Sequence, residues 1–215
     1  MRLLISFLPR FVLAGLLLFA SIGAGHAQGS PESDPAHDAR REWHNLANGR
    51  TEFEISDPAL LPRQIALAIE QSGCRYKEDM QQLPIRFIRV EKQRFAIVFC
   101  RFTVTGSHKI FDLQNLQKPK PMAFPFFARN GGFGATELPG VITWKKEAGV
   151  FEAEIGSDIA CSGRTRHSYR LSSAEGLHGI TFVIVRIQVK KDECRSEWLT
   201  IWEASPWPPW PERFP

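Results

Sequence analysis

The sequence predicts a mainly β protein (α+β) built from antiparallel sheets, with one N-terminal helix and disulfides. Three observations carry this. Short runs of β-branched and aromatic residues recur between positions 85 and 203, each bounded by Gly, Pro or charged turn residues. A single stretch, 56–73, shows helical apolar spacing with recognisable ends. Four cysteines, Cys74, Cys100, Cys161 and Cys194, are spread through the strand-rich part.

The chain begins MRLLISFLPRFVLAGLLLFASIGAGHAQG. Arg2 and Arg10 supply positive charge, 11–22 is an apolar run, and Gly25-His26-Ala27 offers small residues where a signal peptidase reads. The layout is that of a cleaved secretory signal over 1–27. A membrane anchor needs ~20 apolar residues, and Arg10 interrupts the run short of that. The mature chain is then 215 − 27 = 188 residues, enough for one ordinary domain with a real core, or two small ones sharing an interface. Its net charge is 25 − 23 = +2, since the signal holds two of the 27 Lys and Arg and none of the 23 Asp and Glu. That balance implies no general affinity for nucleic acid or anionic membrane. The expected location is the periplasm of a Gram-negative bacterium, or outside the cell.

Residues 28–50 are polar and broken by Pro and Gly, which reads as a flexible leader with a short helical piece near 40–47. The domain proper is expected over 51–203. In 56–73, Ser56 or Asp57 caps, Pro58 fits the first turn, and Leu61, Ile65, Ala68 and Ile69 share a face before Gly73 ends the helix. Strands follow at 85–90 and 94–102, joined by Glu91-Lys92-Gln93 as a hairpin. In the second of these Phe95, Ile97 and Phe99 oppose Ala96, Val98 and Cys100, so both faces are apolar and the strand is central. Strands are expected at 107–113 and 122–128, a loop at 129–140, and a hairpin of 141–144 with 150–155. The last third offers 166–171, 180–189 and 198–203. In 180–189, Val183, Val185, Ile187 and Val189 alternate with Ile184, Arg186 and Gln188, the pattern of a half-buried antiparallel strand. The halves share a loose plan of Cys, strands, Cys and a hydrophobic strand, which reads as two small similar lobes.

An even cysteine count in an oxidising compartment reads as disulfides. Four cysteines allow three connectivities. Pairs 74–100 and 161–194 are favoured because each brackets one strand-rich stretch. No two cysteines are close, no His lies at ligand spacing, and there is no C-x-x-C, so neither a metal nor a redox site is indicated.

FAIVFCRFTVTGSHKIFDL resembles the first cysteine-bearing strand of an exported bacterial four-cysteine family of unknown function. The later segment is similar to that family's ending, through Cys161, Tyr169, Phe182, Cys194, Arg195, Trp198, Thr200 and Trp202. The resemblance spans roughly 70–205. Ser107-His108 stands where the family carries an aromatic–Asn pair, and Ala160-Cys161-Ser162 where it carries Asp-Cys-Gly. It implies a periplasmic protein and no known activity.

Catalytic motifs are absent: no G-x-S-x-G, H-E-x-x-H, P-loop or dinucleotide fingerprint occurs, and no cofactor is implied. Ser107-His108 with Asp112 is the nearest local approach to a triad. More informative is a set of cations. Arg164, Arg166 and Arg170 share one face of a strand, and Arg186 and Lys190 one face of the next. Paired, the strands would gather all five on one side, an unfavourable arrangement unless Glu152 and Glu154 lie alongside or an anionic partner binds. The tail 204–215, ASPWPPWPERFP, places Trp207 and Trp210 on one side of a polyproline helix. It reads as a strap docked on the chain's own surface, with Trp198 and Trp202 on one face of the last strand to receive it, or as a ligand for a partner. The expectation is a non-enzymatic binding or envelope-stability protein whose partner is an anionic protein or envelope glycan. The alternative is a small periplasmic hydrolase with its site near His108 or His167.

Overall fold

The computed structural model describes residues 35–102, 106–127, 132–156, 164–172, 180–190 and 197–205. Helix α1 (Pro35–Ala47) leads into strand β1 (Glu52–Ile55), a 3-10 turn at Pro58–Leu60 and helix α2 (Arg63–Gln71). Strands β2 (Ile85–Val90), β3 (Gln93–Arg101), β4 (Gly106–Asp112) and β5 (Lys120–Pro121) complete a five-stranded meander with β1. A small hairpin follows, β6 (Phe124–Phe127) with β7 (Phe133–Thr136). The second meander holds β8 (Val141–Lys145), β9 (Val150–Ile155), β10 (Thr165–Ser172), β11 (Thr181–Val189) and β12 (Leu199–Glu203). Every strand pairing is antiparallel.

The pleat of the first sheet explains the layering. Phe87, Ala96, Val98, Cys100 and Phe111 point to one side, where they bury Ile65 and Ile69 of α2 and receive Trp43 and Leu46 of α1. Ile88, Phe95, Ile97 and Ile110 point to the other, where they meet Ile142, Phe151, Tyr169 and Phe182 of the second sheet. The result is helices, sheet, sheet. As its two apolar faces require, β3 is central. The two meanders are alike, and their facing sides share one core.

Several expectations are corrected. Among the described residues there are two α-helices, not one, and much of the segment read as a flexible leader is helix α1, packed on the core. Its apolar stripe of Trp43, Leu46 and Ala47 is narrow and hidden among charged neighbours. The second helix starts at Arg63 with Pro62 as its cap, because Asp57 caps the preceding 3-10 turn instead. Part of the loop expected at 129–140 is β7, where Gly134 makes room for the ring of Phe126 across the hairpin. In β11 the simple alternation fails. Ser168 pairs with Arg186 and Tyr169 with Ile184, so Val185 is an extra residue in a β-bulge. The bulge turns Phe182 inward at one end and Ile187 inward at the other, and leaves Val183 exposed. A second irregularity at Ile201 does the same to β12. Thr200 pairs with Gln188 but Trp202 pairs with inward-facing Ile187. Trp198 and Trp202 therefore do not share a face.

Candidate functional site

Cys74 and Cys100 form a disulfide that ties the exit of α2 to β3. Cys161 and Cys194, and the tail residues Trp207 and Trp210, lie outside the described residues.

The two histidines considered for hydrolysis are built into the layers. His108 on β4 accepts a hydrogen bond at Nδ1 from the backbone N–H of Ile142 on β8, 2.9 Å away, and the main-chain N–H of His108 donates to Gly140 O at 2.8 Å. Burial, then the nearby Arg86 charge, hold its pKa down to about 4, against a backbone hydrogen bond to Gly140. Ser107 Oγ is engaged with Gly140 on both sides, accepting from its N–H and donating to its carbonyl. Asp112 accepts from the backbone of Gln114, four residues and roughly 13 Å along the strand from His108. The Ser107–His108–Asp112 set does not assemble.

His167 is fully buried, and its Nε2 accepts from Phe127 N–H at 3.2 Å. Its proton is therefore assigned to Nδ1, which has no hydrogen-bond partner. The ring stacks on Tyr169, whose hydroxyl is likewise unpartnered and whose pKa burial raises. Burial also lowers the pKa of His167. His108 is half-buried with Nδ1 committed to Ile142, and His167 is buried with Nε2 committed to Phe127.

The five cations do gather on the outer side of the second sheet, but carboxylates and rings interleave with them. Glu154 on β9 pairs with Arg164 at 2.7 Å and with Arg166. Arg186 pairs with Glu203 of β12 at 2.6 Å. Arg166 and Lys190 both lie over the ring of Trp198, at 4.1 and 5.2 Å. Glu152 sits beside Ser168 and meets Lys145 at 3.9 Å. Only Arg170 of the five has no carboxylate or ring partner among the described residues. The face is an internally compensated lattice.

Uncompensated charge lies elsewhere, in a cleft of about 550 Å³ between the end of α1 and the β2–β3 hairpin. Its floor is aromatic. Phe53 and Phe87 stack at 4.9 Å, and Trp43 meets both rings from α1, at 5.7 and 5.6 Å. Its rim is basic: Arg50, Arg89, Lys92 and Arg94 stand against the single carboxylate of Glu91. None of the four cations has a carboxylate partner among the described residues. Arg89 and Arg94 are directly opposite across the hairpin, a like-charge pairing that costs stability. Arg94 lies 5.7 Å over Trp43 and Arg50 lies 4.9 Å over Phe53. Arg50 also donates to the last carbonyls of α1, Leu46 O and Ala47 O.

No family model, curated protein or solved structure matches this chain.

Backbone strain points to the same place. Among the described residues, Asn48 and Glu91 are the only non-glycine residues with positive φ, at 45° and 55°. Asn48 closes α1 just before the cleft residues Gly49 and Arg50, and Glu91 lies in the lining itself. Such conformations cost ~1–3 kcal/mol each and persist where surrounding structure enforces them. The sequence does not announce this cleft. There, 28–50 reads as leader and 91–93 as connection, although R-V-E-K-Q-R over 89–94 spaces three cations around a turn. The basic signal is local, but the approach of α1 to that turn is not.

Proposed function

We propose that this chain is a non-enzymatic binding protein of an exported compartment, and that it captures an anionic partner in the cleft beneath α1. One observation carries the reading: Arg50, Arg89, Lys92 and Arg94 line an aromatic-floored cleft of about 550 Å³, and among the described residues no carboxylate pairs with any of them. The size lies within the range of small-molecule sites, ~300–1,000 Å³. A guanidinium binds carboxylate and phosphate oxygens through two parallel hydrogen bonds, and two of them, Arg89 and Arg94, stand opposite each other across the hairpin. The compensated lattice on the second sheet makes a weaker receptor, since an incoming anion must displace Glu154 and Glu203.

Export is supported by the signal-like layout of 1–27 and by the Cys74–Cys100 disulfide, a bond that persists in oxidising compartments. No helix among the described residues is long and apolar enough to cross a membrane.

Calorimetric titration with pyrophosphate, citrate and a galacturonate disaccharide tests the reading. At least one should bind with a Kd of about 1 mM or tighter. Arg89→Glu with Lys92→Glu should abolish that binding, and Arg170→Glu should leave it within about twofold, as expected for a charge remote from the site. Absence of binding by all three, or equal binding by the double variant, would sink the proposal.

A further inference from the structure

We infer, on the strength of that reading, that the cleft is built for an acidic saccharide: a sugar ring bearing carboxylate or phosphate, rather than a bare inorganic anion. The first reason is shape. An inorganic anion is little larger than a few waters, each with a share of ~30 Å³. It would leave most of the 550 Å³ to solvent. The second is the floor. Trp43 is half-buried in an edge-to-face contact with Phe87, and Arg94 covers its ring only loosely at 5.7 Å. The apolar C–H face of a pyranose matches the electron-rich face of an indole, and in taking that place it would free Arg94 to join Arg89 on the acid group.

The third reason is Glu91. A carboxylate in the lining opposes every purely anionic ligand, and it is held there at φ 55°. For a hydroxylated ligand it is an acceptor, and ionised carboxylates make strong hydrogen bonds with hydroxyl donors. Thr51 and His44 add a hydroxyl and an imidazole at the same cleft. Basic rim, aromatic floor and lone carboxylate thus match the three parts of an acidic sugar: acid group, C–H face and hydroxyls.

The test compares a galacturonate disaccharide, the neutral disaccharide cellobiose and pyrophosphate on the purified chain and on two variants. The uronate should bind about tenfold more tightly than either of the others, a difference readily resolved by calorimetry. Trp43→Phe should weaken uronate binding roughly threefold to fivefold through the smaller ring and leave pyrophosphate unchanged. Glu91→Gln should weaken the uronate and strengthen pyrophosphate, a reversal that a merely structural role cannot produce. Glu91 is exposed, so this variant keeps the test open if Trp43→Phe loosens α1. Pyrophosphate binding as tight as the uronate, and indifferent to Trp43, overturns the saccharide inference and leaves the anion-binding function standing. No binding by the uronate, pyrophosphate or citrate overturns both.

Discussion

Gly140 enters β8 at φ +104°, and a side-chain carbon placed there would collide with the carbonyl group of Glu154 on the neighbouring strand. A backbone carbonyl inside a sheet has no room to retreat. Gly140→Ala is therefore expected to lower stability by roughly 2–4 kcal/mol. Denaturant unfolding should show a lower midpoint with an unchanged slope. Gly149 is the control. It sits at φ +63° with nothing within 4 Å of where a methyl would stand, so Gly149→Ala carries only the left-handed backbone cost of about 1 kcal/mol. Equal losses would mean that the contact with Glu154 is not what fixes Gly140. Glu91 is the opposite case, a non-glycine residue held at positive φ. Glu91→Gly should raise stability by about 0.5–1 kcal/mol while weakening capture of an acidic sugar, the usual trade between a strained site and a stable fold. The sequence marks both positions as turn, but the cost at Gly140 is set by Glu154, a neighbour distant along the chain.

The central strand is the most legible element, because apolar residues on both faces of β3 admit one position in a layered fold. The β8–β9 hairpin is equally plain, with Lys146-Glu147-Ala148-Gly149 between two apolar runs. What escapes are elements whose signal lies in a partner. β7 is a strand because Gly134 faces Phe126 and Phe133 pairs with Phe127, which no local pattern announces. The bulge at Val185 is invisible in a run where every side chain is strand-compatible. α1 needs the groove beside Phe53 and Phe87 to explain its Trp43. The link between Cys74 and Cys100 joins α2 to β3 across a separation of 26 residues. Restriction of the unfolded chain by a loop of that size stabilises the fold by roughly 3–4 kcal/mol. Cys74→Ser with Cys100→Ser should lose about that much in denaturant unfolding, and a loss under ~1 kcal/mol would show that α2 and β3 are held by packing alone.

The layers are joined by imidazoles, half-buried His108 and buried His167, as well as by apolar contact. His108 reaches from the first sheet to Ile142 of the second, and His167 from the second sheet to Phe127 of the hairpin. Each accepts a backbone N–H, and only a neutral ring can do so. Burial lowers both pKa values, that of His108 to about 4. In the unfolded chain the same rings titrate near 6.5, so below that pH the unfolded state binds more protons than the folded one. Stability is therefore fully present above ~6.5 and falls as the pH drops towards 4, where the contribution of His108 levels off after a loss of roughly 3 kcal/mol. The window to measure is therefore pH 6.5 down to 5, on the falling part of the His108 contribution. Unfolding free energies measured across that window should decline for the native chain. His108→Gln keeps an oxygen acceptor for Ile142 but cannot titrate, so it should be less stable at pH 7.5 and decline less steeply. An identical slope in the variant would place the acid sensitivity elsewhere. A flat profile in the native chain would mean that the two sheets tolerate a charged ring between them, contrary to the burial that the layered architecture imposes.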